Sequence, residues 1–254
     1  MKVSIITVVY NNQATIAHAI SSVLSQDYSD IEYIVIDGAS TDSTIEIIQS
    51  YSEKIAKFIS EPDQGIYDAM NKGLNLATGD IVGILNSDDF YANNQVISQV
   101  VREFKNKSVD LVFADTVYVK PENLNRVVRY YSSPNFYPWK FAWGWMPAHP
   151  SCFLKLEVYE KYGHFKTDYK IASDYEILVR FMAKYKISYS YMPQVLVKMR
   201  TGGVSNKNLL SNWILNNEII RACQENGIKT NMLKVLSKYL TKIFQIIKIP
   251  QKTV

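Results

Sequence analysis

Apolar residues fall along the first half of the chain in short runs, separated by polar turns and by stretches of helical spacing. Val3 to Tyr10 is a β-branched run of nearly continuous apolarity, the mark of a strand buried on both faces. Asn11-Asn12 break it, and Ile16, Ile20, Val23 and Leu24 then recur at helical spacing. Ile31 to Ile36 predicts a second strand that ends at Asp37-Gly38. Ser40-Thr41-Asp42 predicts the start of a helix carrying Ile45, Ile47 and Ile48. A short strand is expected around Ala56 to Ile59, a helix from Gly65 to Ala77, and a strand at Ile81 to Leu85 that ends in Asn86-Ser87-Asp88-Asp89. Val96 to Phe104 reads as helix and Asp110 to Ala114 as strand.

The second half is less regular. Tyr130 to Pro150 is dense in aromatics and prolines and reads as a loop over the crevice. Ser173 to Lys184 reads as a helix opened by a capping box, Ser173-Asp174-Tyr175-Glu176. Ile187 to Met199 is a strand candidate, and Leu209 to Gln224 and Met232 to Ile249 read as helices. Strands alternating with helices imply βαβ units and a mostly parallel sheet. Such sheets bind ligands beyond the carboxyl ends of their strands. Tyr10-Asn11, Asp37-Gly38 and Asn86-Ser87-Asp88-Asp89 all fall at strand ends, so one crevice is expected to collect them.

Composition adds little to this α/β picture. The 254 residues are 47% hydrophobic and 20% charged, which is ordinary globular usage. A net charge of +4 is too small to point to nucleic acid. Its distribution says more. From Val3 to Asp89 the basic residues are Lys54, Lys57 and Lys72, whereas Lys207, Arg221, Lys229, Lys234, Lys238, Lys242, Lys248 and Lys252 crowd the end. Cys152 and Cys223 have no metal-type spacing, and a reducing cytoplasm is expected. No apolar run is long enough to span a membrane. Leu233, Leu236, Leu240, Ile243 and Ile247 share one stripe of the last helix, with Lys234, Lys238 and Lys242 on another. Such a helix either lies on an anionic membrane face or packs on the domain.

Each candidate for chemistry has a plainer alternative. The acidic turn Asn86 to Asp89 can hold a hard divalent cation or simply cap a helix. Asp37 can accept a hydrogen bond from a base or ribose, in a turn that Ser40 or Thr41 could cap without a ligand. Glu61 to Gly73, with Asp68 inside it, is either a phosphate-facing helix start or a surface helix. Asp174 is either a general base or a residue favoured in a first helical turn by the helix dipole. His149-Pro150 follows the aromatic segment, and a lone histidine there is site or scaffold alike.

The ordered motifs SIITVVYNN, VIDGASTDST, SEPDQGIYDAMNKG, GDIVGILNSDD and IASDYEI together resemble a family 2 glycosyltransferase of the GT-A fold, over roughly Val3 to Gly203. The resemblance is greatest to the bacterial branch that builds capsule, exopolysaccharide and O-antigen. It implies a Rossmann-like, mostly parallel sheet over residues 1–205 and a helical extension over 206–254. It implies an inverting transfer from a nucleotide-diphosphate sugar, UDP-sugar foremost, to a glycan or lipid-linked glycan hydroxyl, with Mg²⁺ or Mn²⁺. Val8 and Tyr10 then match donor-pocket positions, Asp37 the base-holding position, and Asn86-Ser87-Asp88 the DxD motif, with Asp88 and Asp89 at the metal. Asp174 matches the catalytic base, Asp68 lies on the donor side, and His149-Pro150 and Gly202-Gly203 match positions near acceptor and diphosphate. The implied location is cytoplasmic, with the tail at the inner membrane face.

The chain departs from the pattern at Asn86, where the first DxD carboxylate is missing, and in lacking an arginine near Met70 and the processive QxxRW motif. Two other readings follow. A nucleotidyltransferase would place a glycine-rich basic loop where Asn11-Asn12-Gln13 stand, and an inactive sugar-binding scaffold would keep the fold without the chemistry.

Overall fold

A computed structural model describes residues 1–202 and 209–247, and of 209 and 240–247 the backbone alone. Gly203 and the side chains of Leu240, Lys242, Ile243 and Ile247, read above, therefore lie outside the described residues. The strands are β1 (Val3–Val9), β2 (Ile31–Asp37), β3 (Lys57–Ser60), β4 (Ile81–Ile84), β5 (Phe90–Tyr91), β6 (Leu111–Lys120), β7 (Asn123–Tyr131), β8 (Phe153–Lys155) and β9 (Tyr189–Arg200). The helices are α1 (Ile16–Leu24), α2 (Thr44–Gln49), α3 (Ile66–Leu76), α4 (Val96–Lys107), α5 (Leu156–Tyr162), α6 (Ser173–Leu178), α7 (Leu209–Glu225) and α8 (Met232–Ile247).

The strands join in the order β3-β2-β1-β4-β8-β6-β9-β5, and β7 pairs β6. β1 to β4, β6 and β9 run one way, and β5, β7 and β8 the other. The sheet is thus the mostly parallel α/β sheet expected. Alternation along β1 explains its nearly continuous apolarity. Val3, Ile5 and Val9 pack towards α1 and α4, through Ile16, Ile20, Val100 and Phe104. Ile6 and Val8 pack towards α3, α6 and α7, through Met70, Leu74, Ile177 and Ala222. Helices on both faces leave no solvated side, so the strand is apolar apart from Ser4 and Thr7, whose buried hydroxyls bond Glu32 and Tyr33. Gly73 lets α3 lie directly on β1, because a Cβ there would stand 2.4 Å from Ile6 Cγ2.

Three expectations are corrected. The segment from Tyr130 to Pro150 is not all loop: β7 extends to Tyr131, and 3-10 turns occupy Pro138–Trp143 and His149–Ser151. β7 is a half-exposed hairpin arm, and its mixed pattern hides the strand period. The helix from Ser173 ends as α-helix at Leu178 and continues as a π-turn over Val179–Lys184. The capping box does not form. Ala172 is the N-cap, no side chain caps the helix, Ser173 Oγ is buried without a partner, and Glu176 turns inward to Arg180.

Candidate active site

Parallel register brings the ends of β1, β2 and β4 to one rim. Asp37 is level with Val9, and Leu85 N–H bonds Ile6 O just where β4 ends. The two asparagines that break the first strand tie the emerging loops together. Asn11, at φ 47°, donates its N–H to Ser40 Oγ (2.7 Å) and accepts Thr41 N–H on Oδ1 (2.8 Å). Asn12 Nδ2 donates to Ser87 Oγ at 2.8 Å. Asp37 is fully buried and accepts Ser40 N–H (3.0 Å), Ser40 O–H (2.5 Å) and Ser60 O–H (2.7 Å). Neither Ser40 nor Thr41 caps α2: its N-cap is Ser43, without a side-chain cap bond, and Asp42 before it accepts Thr44 N–H at 3.0 Å. Gly38 has no room for a Cβ, which would meet Asp63 Oδ2 at 2.4 Å with the Tyr10 ring at 3.4 Å. Tyr10 itself is 63% exposed, an open aromatic face at the mouth of this turn. Val8 lies one pleat back, with its side chain in the core.

The acidic turn after β4 is only partly compensated, because burial outweighs the charge of Arg200 nearby. Asp88 is half-buried and its carboxyl is pushed up by burial. Asp89 is buried and pushed well up, by burial first and then by the charge of Asp88. Asn86 Nδ2 donates to Asp89 Oδ2 at 3.1 Å, while Asn86 Oδ1 is buried with no hydrogen-bond partner. A buried carbonyl oxygen without a donor beside two carboxylates raised by burial fits a hard divalent cation, which takes oxygen ligands. Among the described residues no three His, Cys, Asp or Glu side chains converge as a self-sufficient metal site. Mg²⁺ and Mn²⁺ sites completed by substrate phosphates need only one or two carboxylates.

The opposite rim shows what a satisfied carboxylate looks like in this fold. Glu32 accepts Ser4 O–H (2.6 Å), Thr78 N–H (2.8 Å) and Thr78 O–H (2.9 Å), with Lys2 and Lys57 at 3.0 Å. Burial alone would raise its pKa, but these partners outweigh it and hold the carboxyl well below the usual range. Asp88 and Asp89, raised by burial, thus stand at the carboxyl-end rim, where function in such sheets resides, beside the satisfied Asp37.

Asp174 lies in the first turn of α6, and its carboxyl is pushed up to about 6. Burial is the main cause; Tyr175 N–H (2.8 Å) and Tyr67 O–H (3.5 Å) oppose it, and the charge of Glu218 adds to it. Tyr67 belongs to α3, so the polar helix after the Pro62-Asp63 turn reaches the same place. Tyr118 on β6 lies within electrostatic reach of both acidic centres. Its hydroxyl is pushed up first by burial, against Arg129, and then by the charges of both Asp89 and Asp174.

Two other residues read from sequence sit differently. Asp68 accepts Gln64 N–H at 3.1 Å and stands 3.7 Å from Lys72 Nζ, so it holds the start of its own helix. His149 is buried edge-on against Phe165, with ring centroids 5.5 Å apart, and burial lowers its pKa to about 4. It is neutral at physiological pH. The sequence reading missed Arg200, at the end of β9. Its Nη1 donates to Asp88 O at 2.5 Å, its Nη2 lies 2.7 Å from His18 Nδ1, and its guanidinium covers Phe90 at 4.9 Å. This brings a cation to the acidic turn from 112 residues away. Its signal was an arginine two residues before Gly202-Gly203.

Comparison with known proteins completes the assignment. The model of the family described as glycosyl transferase family 2 matches residues 4–165. An uncharacterized glycosyltransferase of Mycobacterium tuberculosis is 31% identical over 180 residues, 70% of this chain and 68% of its own. A Haemophilus influenzae glycosyltransferase, also uncharacterized, is 42% identical over 101 residues, 39% of this chain and 40% of its own. S. aureus TarS 1-349 in complex with UDP-GlcNAc superposes with a TM-score of 0.68 at 17% identity, covering 99% of this chain and 77% of that one. Against a longer TarS chain the match spans 46% of that chain. The Pyrobaculum calidifontis mannosyltransferase in complex with GDP-Man and Mn²⁺ superposes with a TM-score of 0.66 at 20% identity, covering 97% and 72%. The structural neighbours share the fold, and the sequence matches carry the kinship: the chain belongs to glycosyl transferase family 2.

Proposed function

We propose that this chain transfers a sugar, with inversion, from a nucleotide-diphosphate donor to an acceptor hydroxyl, and that Asp174 is the base. The observation that carries this reading is an acidic turn just beyond β4 with a buried, unpartnered Asn86 Oδ1, together with a buried carboxylate at Asp174 that the first turn of α3 reaches through Tyr67. Asp174 takes the proton of the acceptor hydroxyl as its oxygen bonds the anomeric carbon. The bond from that carbon to the diphosphate oxygen breaks, and the electron pair leaves with the nucleoside diphosphate. Tyr10 and Asp37 stand where a nucleotide base would dock. Asp88 and Asp89, with Asn86 Oδ1, would hold Mg²⁺ or Mn²⁺, which when bound neutralises charge on the leaving diphosphate. A UDP-sugar is the favoured donor, in keeping with the UDP-GlcNAc bound to TarS. A glycan or lipid-linked glycan of a bacterial surface polysaccharide is the favoured acceptor.

A panel of nucleotide sugars, screened by thermal shift and by hydrolysis with and without Mn²⁺, tests the reading, since a bound donor raises the melting point by mass action. Absence of both stabilisation and hydrolysis across the panel would support an inactive scaffold. Asp88→Ala is expected to weaken Mn²⁺-dependent donor binding by at least about tenfold, the scale that even supporting groups around a metal carry. Calorimetry with Mn²⁺ checks it, and an unchanged affinity would remove Asp88 from the metal.

We also propose that the chain works at the cytoplasmic face of an anionic membrane. Among the described residues no helix is long and apolar enough to cross a bilayer. α8 buries Val235 and most of Lys238 against the domain, yet leaves Leu233 82% and Leu236 41% exposed, and Trp213 on α7 is 64% exposed. Residues 229–254 hold Lys229, Lys234, Lys238, Lys242, Lys248 and Lys252 and no acidic residue. Apolar side chains beside lysines suit an anionic interface. Leu233→Glu with Leu236→Glu is expected to abolish cosedimentation with phosphatidylglycerol vesicles without changing the melting temperature. Retained binding would refute the surface.

A further inference from the structure

The helical extension reaches into the site. On α7, the Glu218 carboxylate accepts three successive main-chain N–H groups: Lys170 at 2.7 Å, and Ile171 and Ala172 at 2.9 Å each. Successive N–H groups facing one way form an anion-binding concavity, and here a carboxylate of the same chain fills it. These residues immediately precede Ser173-Asp174. The other side of the turn is held by Tyr67, whose O–H donates to Ile171 O. α7 is itself fixed. Ile219, Ala222 and Cys223 are buried in the core, and Arg221 bridges Asp168 and Glu225.

We propose that Glu218 is a positioning residue for Asp174, a clamp on residues 170–172 that sets where the base carboxylate stands. The proposal rests on Asp174 being the base. Tyr67 has one hydroxyl proton to give, and its oxygen lies 3.5 Å from Asp174 Oδ1 as well as against Ile171 O. With Ile171 held by Glu218, that proton goes mainly to the carbonyl, so the close donor on Asp174 Oδ1 is Tyr175 N–H at 2.8 Å and the other carboxylate oxygen is left to take the acceptor's proton. Asp174 is faced by Tyr67 from α3, Tyr118 from β6, Tyr131 from β7, Cys152 ahead of β8, and Glu218 from α7. Glu218 is the acid in this set, and its charge helps keep Asp174 basic near neutrality.

Glu218→Gln and Glu218→Asp, in the full chain, separate the clamp from the charge. Hydrogen exchange over residues 168–175 and hydrolysis of the nucleotide sugar found in the donor screen are measured, with Asp174→Asn alongside. Glu218→Gln is expected to speed exchange at amides 170–172 and to lower kcat by about tenfold or more, since small misplacements of reacting groups are costly. Its acid limb should move to lower pH while donor KM stays. Glu218→Asp keeps the charge, so its limb should stay while kcat still falls. A merely structural residue would lower kcat without moving the limb. Wild-type kcat and an unmoved limb in Glu218→Gln, with Asp174→Asn inactive, overturn the proposal alone. Normal turnover in Asp174→Asn overturns the base reading and the proposal with it. If Glu218→Gln does not fold, wild-type kcat and exchange in Glu218→Asp overturn the clamp.

Discussion

Asp174→Asn is expected to lower turnover by about 10²–10⁴-fold, the contribution of a positioned general base, while nucleotide binding survives. The substitution is nearly isosteric, and the amide oxygen can keep the bond from Tyr175 N–H now made at 2.8 Å. What is lost is the capacity to take a proton. For the wild type, kcat/KM should fall as pH drops through about 6, where the Asp174 carboxyl protonates, and the variant should lose that limb. Stability should move the other way. A carboxyl whose pKa is raised on folding is neutral in both states below its unfolded value of 3.8, and its cost grows as pH rises through about 6. At neutral pH the ionised Asp174 therefore destabilises the fold, and Asp174→Asn should melt a few degrees higher, with the gap closing in acid. Near-wild-type turnover with an intact acid limb would remove Asp174 from the chemistry.

Arg180→Met is expected to destabilise the protein by about 3–5 kcal/mol, the cost of leaving a buried charge without its partner. Glu176 is fully buried, and Arg180 reaches it through Nε at 3.2 Å and Nη2 at 3.0 Å. The same guanidinium donates to the carbonyls of Tyr162, Gly163 (3.0 Å) and His164 (2.6 Å), joining α5 to the helix whose first turn holds Asp174. Methionine fills much of the volume but satisfies none of these acceptors. For a chain of this size the loss corresponds to a fall in melting temperature of roughly 10 °C, readable by calorimetry. Adding Glu176→Leu should restore part of it, because an apolar pair tolerates burial where a lone carboxylate does not. A single variant as stable as the wild type would show that Lys166, 3.3 Å from Glu176 Oε1, and Asn226, at 3.2 Å, suffice.

The sheet was legible from sequence wherever local pattern and burial agree. The runs at β1, β2 and β4 are apolar on both faces because helices cover both faces, and their polar ends mark the rim. β7 and the 3-10 turns were not legible. They are half-exposed or rich in proline and aromatics, and neither period dominates. The capping box misled for a related reason. Its spacing fits a helix start, but Arg180 competes for Glu176, and in a buried setting an ion pair outweighs a cap. Arg200 was passed over because its partners at Asp88 and His18 lie far away in the chain.

From the sequence alone came the α/β architecture, the strand ends at Asp37 and Asn86 to Asp89, and the extension's basic, amphipathic character. These depend on periodicity and on the order of residue types, which are local. Only the tertiary structure decided the state of each carboxylate: Glu32 surrounded by donors, Glu176 paired, Glu218 clamping a turn, and Asp88, Asp89 and Asp174 raised by burial despite their partners. A carboxylate's charge depends on burial and on neighbours brought from distant positions, and spacing along the chain does not encode them.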